Sequence, residues 1–582
     1  MGTISDKLMR IINTKEDIRQ ALISKGYDVP TSIPFKEYAK MISDLPCKVD
    51  DFPKLPGDVT RWYFGGLTNE MMAAMDDPRI EDADHKGRFL SFKNFAWKGM
   101  SGVGGYEMNF NLWTNNVSSI PDISMSTTTT SVSVSVGNST YNNNLIYIHI
   151  SNWDINKNHW LKVTSTYEDG DLAFIFYNNS NTKKIGLPAN GYVNILAYPE
   201  FKGSYMYIST ISNKQGSFTI EQLPLYPGAL VFDGVDDYGV CDNFPILTKE
   251  KGYTVVVLRQ WDQDFLNTTL TGGLLSTRNY STGEGVAFEK IESSNKGYWN
   301  LGAGGIIDFA KSPFTWQTSK QYNNVGILKG DKNHGKPLCV GCGLSGGQQC
   351  GRFAIWELVF LDHDATEEEL TKIKDYFVKT YPWLFPDQAW TVTGKTNEDE
   401  DRATIANITG NGNDLVCLNL GFIEGSGYNE EGEYAGYLVT DGVDDKIVSS
   451  AFGMGKDFTI VGDWKLINTG KNDNAGIVKF DSIVIYNYNP ILINIKNGRN
   501  NLIPDQNTVN AICSDGRIYS KDWKESIYNE ETESTSKNLL TIGYSGNDYT
   551  KIAFRNLAIY PTVLSREDCI KAYNYLQTLK AK

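Results

Sequence analysis

Reactive and metal-binding side chains are scarce in this sequence. Five histidines and eight cysteines stand in 582 residues. The histidines are His85, His149, His159, His334 and His363. They form no H-x-x-H pair and sit beside no nucleophile. No phosphate loop or dinucleotide fingerprint occurs, so nucleotide enzymes lose their usual signature. The cysteines are Cys47, Cys241, Cys339, Cys342, Cys350, Cys417, Cys513 and Cys569. Spread so thinly, they read as reduced, packed thiols and not as a disulfide framework. Basic charge is also short, with 55 Lys and Arg against 69 Asp and Glu, a net charge of −14. Nucleic acid and anionic membranes both need a basic footprint, so neither is an expected partner. No apolar run approaches the roughly 20 residues of a membrane helix. The opening MGTISDK lacks a basic-then-apolar leader, and Asp6 stands where a myristoylation motif needs Ser or Thr. These absences lead us to expect synthesis in a reducing cytosol without secretion.

What is abundant is Tyr (32) and Gly (54), beside many Asn, Ser and Thr. That mixture favours twisted sheets with polar loops. The length exceeds one hydrophobic core, so several domains are expected. A repeat organises them. Ala229–Tyr238 reads ALVFDGVDDY, and Tyr437–Lys446 reads YLVTDGVDDK. One turn, used twice and each time followed by a strand pattern, marks a duplicated module. Trp62 and Trp390 stand equally far before Asn69 and Asn397, which extends the match upstream.

In chain order, residues 1–50 read as a short helical region. Ile4, Leu8, Ile11, Ile18 and Leu22 form one narrow apolar seam, fit for oligomerisation or docking. A second helix is expected after Ser32–Pro34, with Phe35, Tyr38, Ile42 and Leu45 on one face. Asp51–Gly57 is a Pro/Gly linker. The first module occupies 58–105 and 228–385, the second 388–582. Between the halves of the first lies an insertion, 106–227, made of strand signals: SVSVSV (Ser131–Val136), HWLKVTSTY (His159–Tyr167), LAFIFY (Leu172–Tyr177) and others. It reads as a small β-sandwich. Each module ends in an apolar strand and a capped helix. Thr366 and Glu369 cap the first, which is striped by Leu370, Ile373, Tyr376 and Phe377. Ser565 and Asp568 cap the second, striped by Cys569, Ala572, Tyr575, Leu576 and Leu579. The aromatic-rich Tyr381–Trp390 predicts a packed, stiff joint between the modules.

The order of these signals resembles the concanavalin A-like, laminin G-type jelly roll. They are FDGVDDY, then FTIVGDW, then an L-x-IG strand, then a strand-to-helix ending such as IAFRNLAIY…LSRED. The fold class this implies is mainly β: tandem jelly-roll sandwiches, one carrying an inserted β-sandwich, behind a short helical N-terminal region. ISDKLMRIINTKEDIRQALISKG with IPFKEYAKMI resembles the openings of phage tail and fibre proteins. The repeated W…GKTNEDEDRATIANITGNGNDL…SGY segment is similar to structural proteins of tailed phages of gut Bacteroidetes, the crAss-like type. The resemblance implies a virion protein made in the bacterial cytoplasm, a fibre or appendage. Its expected partners are copies of itself, with a trimer as the family habit, other virion proteins and host-surface glycans. A virion spacer without ligand and a capsular polysaccharide-degrading glycosidase are the alternatives.

Candidate site residues follow. Some members of the resembled family bind calcium at the sandwich rim. Asp233, Asp236 and Asp237, repeated as Asp441, Asp444 and Asp445, would offer ligands to such a hard cation. The competing reading is a D-G turn whose carboxylates satisfy their own backbone amides. No cofactor is otherwise required. Glycosidases of this fold carry E-x-D-x-x-E on one strand. Neither module has that string, and no enzymatic activity is expected. The acidic run Glu398–Asp401 reads as a solvated loop. Cys339, Cys342 and Cys350 near His334 invite a zinc reading, but on a continuous strand Cys339 and Cys342 would point to opposite faces. Trp97, Trp153, Trp160, Trp261, Trp299, Trp316, Trp464 and Trp523 are candidates for sugar stacking, with burial in the core as their default.

Overall fold

A computed structural model describes residues 51–581, apart from internal segments of which the longest are 138–147, 309–324 and 528–537. The N-terminal seam (Ile4, Leu8, Ile11, Ile18, Leu22) and the helix after Ser32–Pro34 lie outside the described residues. Residues 55–582 form one compact unit. It is mainly β, and its apolar side chains gather in three cores, one for each sandwich. No described helix is long and apolar enough to cross a membrane.

The two modules repeat each other down to single hydrogen bonds. In each, a long strand near the end forms the spine of one sheet: Arg352–Leu361 in the first module, Ile552–Tyr560 in the second. Along one edge of Arg352–Leu361 lie Val59–Tyr63 and Leu230–Asp233, end to end, and along the other lies Thr254–Trp261. The second module matches this with Gln388–Thr391 and Tyr437–Val439 on one edge and Thr459–Leu466 on the other. Even the irregularity is shared. The register slips between Leu258 and Arg259 in one copy and between Asp463 and Trp464 in the other. Thr254–Trp261 is buried at every position. Such a run is needed because one face meets the opposing sheet and the other is covered by helix.

The starting tryptophans have the same task. Trp62 Nε1 donates to Arg88 O at 3.3 Å, and Trp390 Nε1 to Asn413 O at 2.9 Å. Both rings are fully buried. A buried indole needs a partner for its one donor, so each tryptophan pins an adjacent loop. Thr254 and Thr459 fasten the turns ahead of the closing helices. Thr254 Oγ1 donates to His363 O (3.0 Å) and accepts from Ala365 N (2.8 Å); Thr459 Oγ1 donates to Thr562 O and accepts from Leu564 N, both at 2.9 Å.

Both closing helices form where expected, at Glu367–Thr380 and Arg566–Gln577. Thr366 and Glu369 make a reciprocal capping box, and Ser565 accepts from Asp568 N. The expected stripe residues are all buried, with Leu579 lying two residues beyond the end of the second helix. The second helix also reaches beyond its own module. Tyr575 Oη donates to Gln260 Oε1 of module one at 2.8 Å, and the Tyr575 ring meets Trp356 edge-on. Tyr573 meets Trp160 of the inserted sandwich at 4.6 Å between centroids. The joint is packed as its composition suggests: Trp383, Leu384 and Phe385 are buried, and Tyr560 Oη donates to Trp383 O.

Among its described residues the insertion is a sandwich of two five-stranded sheets. Val132, Val134 and Val136 share its core face, as strict alternation dictates. Its two ends are tied to each other. Tyr226 N donates to Gly104 O (2.8 Å), Leu225 N to Gly105 O (3.0 Å) and Gly104 N to Ala229 O (2.8 Å). In module two the same place is a short loop, closed by Gly436 N to Asn429 O at 2.8 Å.

Candidate functional site

The DGVDD turns are built identically. Val235 N donates to Asp233 Oδ1 at 2.8 Å, and Val443 N to Asp441 Oδ1 at 2.7 Å. The first aspartate of each turn therefore closes an Asx turn on its own backbone. Gly234 and Gly442 both have φ +78, and a Cβ on either would press on Arg352 or Lys551, so glycine is required there. The last aspartate of each turn is buried. Asp237 accepts from Ser101 Oγ (2.9 Å) and Asp233 N (3.1 Å); Asp445 accepts from Ser426 Oγ (2.7 Å) and Asp441 N (2.8 Å). Behind them Ala96 N donates to Ser101 Oγ and Gly421 N to Ser426 Oγ, each at 2.8 Å. Asn94 and Asn419, both left-handed, donate to Asp236 O and Asp444 O. The turn is thus sewn to the loop that precedes it.

Each acidic triplet brings its ligand atoms within 4.8 Å of one another, but the carboxylates are already largely used by amides and a serine. Burial, with the neighbouring Asp233 charge, pushes the Asp237 carboxyl up to about 7. Burial also raises the Asp445 carboxyl, whose Oδ1 has no hydrogen-bond partner. The arrangement fits the structural reading of the turn directly. Asp236 and Asp444, exposed at the rim, are the members of each triplet with their side chains turned to solvent.

Beside the second turn lies a feature that sequence reasoning passed over. Tyr544 and Tyr549 pair across an isolated antiparallel bridge, ring centroids 4.7 Å apart and tilted by 37°. Both are half-buried. Gly543, with φ +81, lies against Thr440 and the Asp445 carbonyl, which sets the pair next to the DGVDD turn. Lys446 Nζ stands 5.0 Å from the Tyr544 centroid, and Leu418, opposite Lys446 in the ladder, is exposed. Val443 at the turn's tip is 72% exposed. The signal available in sequence was a pair of tyrosines five apart, the first of them four positions after the L-x-IG strand begins.

At the equivalent bridge in module one stand Cys342 and Cys350. The expectation that Cys339 and Cys342 face opposite ways is corrected here. Gly341, at φ +94, breaks the strand between them, and the two thiols hydrogen-bond to each other, which lowers the Cys339 pKa. Cys339, Cys342 and Cys350 form one buried cluster with Tyr238 and Val240. Their sulfurs do not converge as the acidic triplets do: among the described residues, only those triplets are gathered as a metal site would be. His334 lies outside the described residues. Gly343–Gly347 reads GLSGG and so matches the G-x-S-x-G spacing of a hydrolase elbow. An elbow joins a strand to a helix, whereas here the flanking elements are the two strands Cys342–Leu344 and Gln348–Cys350.

The other candidates fall to structural tasks. Trp97, Trp261, Trp464 and Trp523 are buried, and Trp160 packs on Tyr573. The side chains of Trp153, Trp299 and Trp316 are outside the described residues. In the Glu398–Asp401 run, Asp399 accepts from Thr396 N, and Asp401 pairs with the buried Lys395. A fully buried carboxylate, Glu357, is held by Arg61 (2.8 Å) and by the hydroxyls of Tyr376 and Tyr381 (2.8 Å each). Burial raises its pKa, but the ring of partners leaves it no route to a substrate.

The fold is therefore that of a tandem β-sandwich protein with one sandwich inserted in another. No protein-family model and no curated protein matches the chain. Among solved structures it is similar to the sialidase of Trypanosoma rangeli in complex with the inhibitor DANA, at 8% identity over 84% of this chain and 92% of that one, with a TM-score of 0.24. It is also similar to the binding domain of botulinum neurotoxin serotype D, at 11% identity over 59% and 89%, with a TM-score of 0.23. Likeness at this level carries no argument about site or activity.

Proposed function

We propose that the chain is a structural protein of a phage virion, a fibre or appendage whose second module holds glycans of a bacterial surface at its rim. The observation that carries this reading is the Tyr544–Tyr549 pair beside an exposed turn. Tyrosine faces stack on the apolar faces of pyranose rings, and a phenol can hydrogen-bond to sugar hydroxyls. Lys446 and Asp444 next to the pair add a donor and an acceptor for orientation, the usual composition of a small-ligand site. Module one has thiols where module two has rings. In this reading it serves as support and spacing, with the inserted sandwich carried on it. Self-association through the N-terminal seam and attachment to other virion proteins belong to the same proposal.

The test is binding of the full-length protein to an array of bacterial surface glycans, with and without calcium. Tyr544→Ala/Tyr549→Ala should weaken binding at least about tenfold, roughly 1.4 kcal/mol, while thermal unfolding of the first module stays unchanged. Binding that survives the double substitution would move the site off this rim. An array with no binder at all would favour a spacer without ligand.

A further inference from the structure

Cys342 and Cys350 face each other across the hairpin of Cys342–Leu344 and Gln348–Cys350. Gly351 N donates to Gly341 O at 2.9 Å, so the ladder bond flanks the cysteine pair instead of joining it. That defines a non-hydrogen-bonded antiparallel position. Such positions bring the Cα atoms to about 4.5 Å with both side chains on one face, and a disulfide spans Cα separations of about 4.4–6.8 Å. Module two verifies the orientation independently. Thr550 N donates to Gly543 O, again at 2.9 Å, and the side chains at that bridge, Tyr544 and Tyr549, touch ring to ring. The hairpin is also held from behind. A Cβ on Gly273 would fall 1.9 Å from Gly343 N, so the two backbones are in close contact.

We propose that Cys342 and Cys350 are a redox-modification site, which a small-molecule disulfide such as oxidised glutathione closes into a cross-strand clip. One cysteine, as thiolate, attacks a glutathione sulfur and expels one reduced glutathione, leaving a mixed disulfide. The second cysteine, as thiolate, attacks the protein-side sulfur and expels the other. Two electrons pass from the protein to the oxidant, and the two thiol protons end on the two glutathiones. Cys350 is the entry point, because it lies on the strand whose neighbours Gln348 and Gln349 are exposed. Burial holds its thiol up at about 12, so the exchange is slow in the closed hairpin and proceeds when the hairpin opens locally. The clip stiffens the rim of module one, since Gly341 rests on Phe232 and on the Asp237 carbonyl of the first DGVDD turn.

The full chain is incubated natively, and separately refolded, in oxidised glutathione; remaining thiols are alkylated without reduction. Between Cys342 and Cys350 there is no Lys or Arg, so tryptic digestion is followed by cleavage after Leu344, which separates the two. The expected result is two fragments joined by a disulfide, with two of the eight thiols lost to alkylation. Cys339→Ser keeps the link and Cys350→Ser abolishes it. A bond between Cys339 and Cys342 with Cys350 alkylated would overturn the proposal. So would alkylation of all three cysteines in the refolded sample, where burial no longer limits access.

Discussion

Replacing Asp237 by Asn tests whether the DGVDD turn is a proton-holding fastener or a cation site. In the folded chain the Asp237 carboxyl is raised from 3.8 to about 7. The unfolded chain releases its proton near the ordinary value. Between those limits the native state binds more protons than the unfolded one, so stability falls as pH rises. The contribution is complete below about pH 4 and lost by about pH 7. Three tenfold steps at roughly 1.4 kcal/mol each set a ceiling near 4 kcal/mol. Water at the exposed Asp236 side and dissolved salt screen part of this, leaving about 2 kcal/mol. Hydrogen exchange of the segment from Leu230 to Cys241, corrected for intrinsic rate, reads this locally, which matters because a multidomain chain does not unfold in two states. Protection should fall roughly 30-fold from pH 4 to 8 in the wild type. In Asp237→Asn the profile should be flat, and at pH 8 the turn should be better protected than in the wild type. The asparagine can accept from Asp233 N and donate to Ser101 Oγ. Calcium at millimolar concentration should change neither profile. A wild-type profile that is flat or rises with pH would refute this reasoning. Calcium-dependent protection that Asp237→Asn abolishes would show that the acidic triplet holds a cation.

Two further predictions concern the scaffold. Thr459→Val and Thr254→Val keep side-chain volume but leave a buried amide and a half-buried carbonyl unpaired, so each should destabilise its own module by about 2–3 kcal/mol, read by calorimetry; no measurable loss would mean the backbone turns re-pair by themselves. Tyr575→Phe removes the hydroxyl bonded to Gln260 across the modules and should cost about 1 kcal/mol, lowering the melting of both modules; a shift confined to the second would show that the contact does not couple them.

Much of the scaffold can be read from the residues alone. The DGVDD repeat, the paired tryptophans and the two capping patterns are local chemistry, and local chemistry recurs wherever the same turn recurs. SVSVSV sorts its valines to one face because strand periodicity leaves no choice. The site was less legible. Tyr544 and Tyr549 touch only because Gly543 takes a left-handed conformation that turns the chain back, and periodicity does not report that. The same conformation at Gly341 brings Cys339 and Cys342 together after a strand pattern had set them apart. The tryptophans drew attention as large aromatics, yet size makes them core residues first, and Trp464 and Trp523 are buried accordingly. Asp237 and Asp445 read as candidate ligands in the sequence, which shows their charge but not the serine and amide each one faces.

The ends of the inserted sandwich, bonded to one another at Gly104, Gly105, Leu225 and Tyr226, make the first module a socket. Any guest fold whose termini lie close together could be seated there without disturbing the host core, and module two, with its short loop at Asn429–Gly436, is the empty form of the same socket. Exchange of the guest would then alter one sandwich while leaving the cores of both modules untouched. An engineered chain with the guest replaced by that short loop offers a direct starting point for such exchanges.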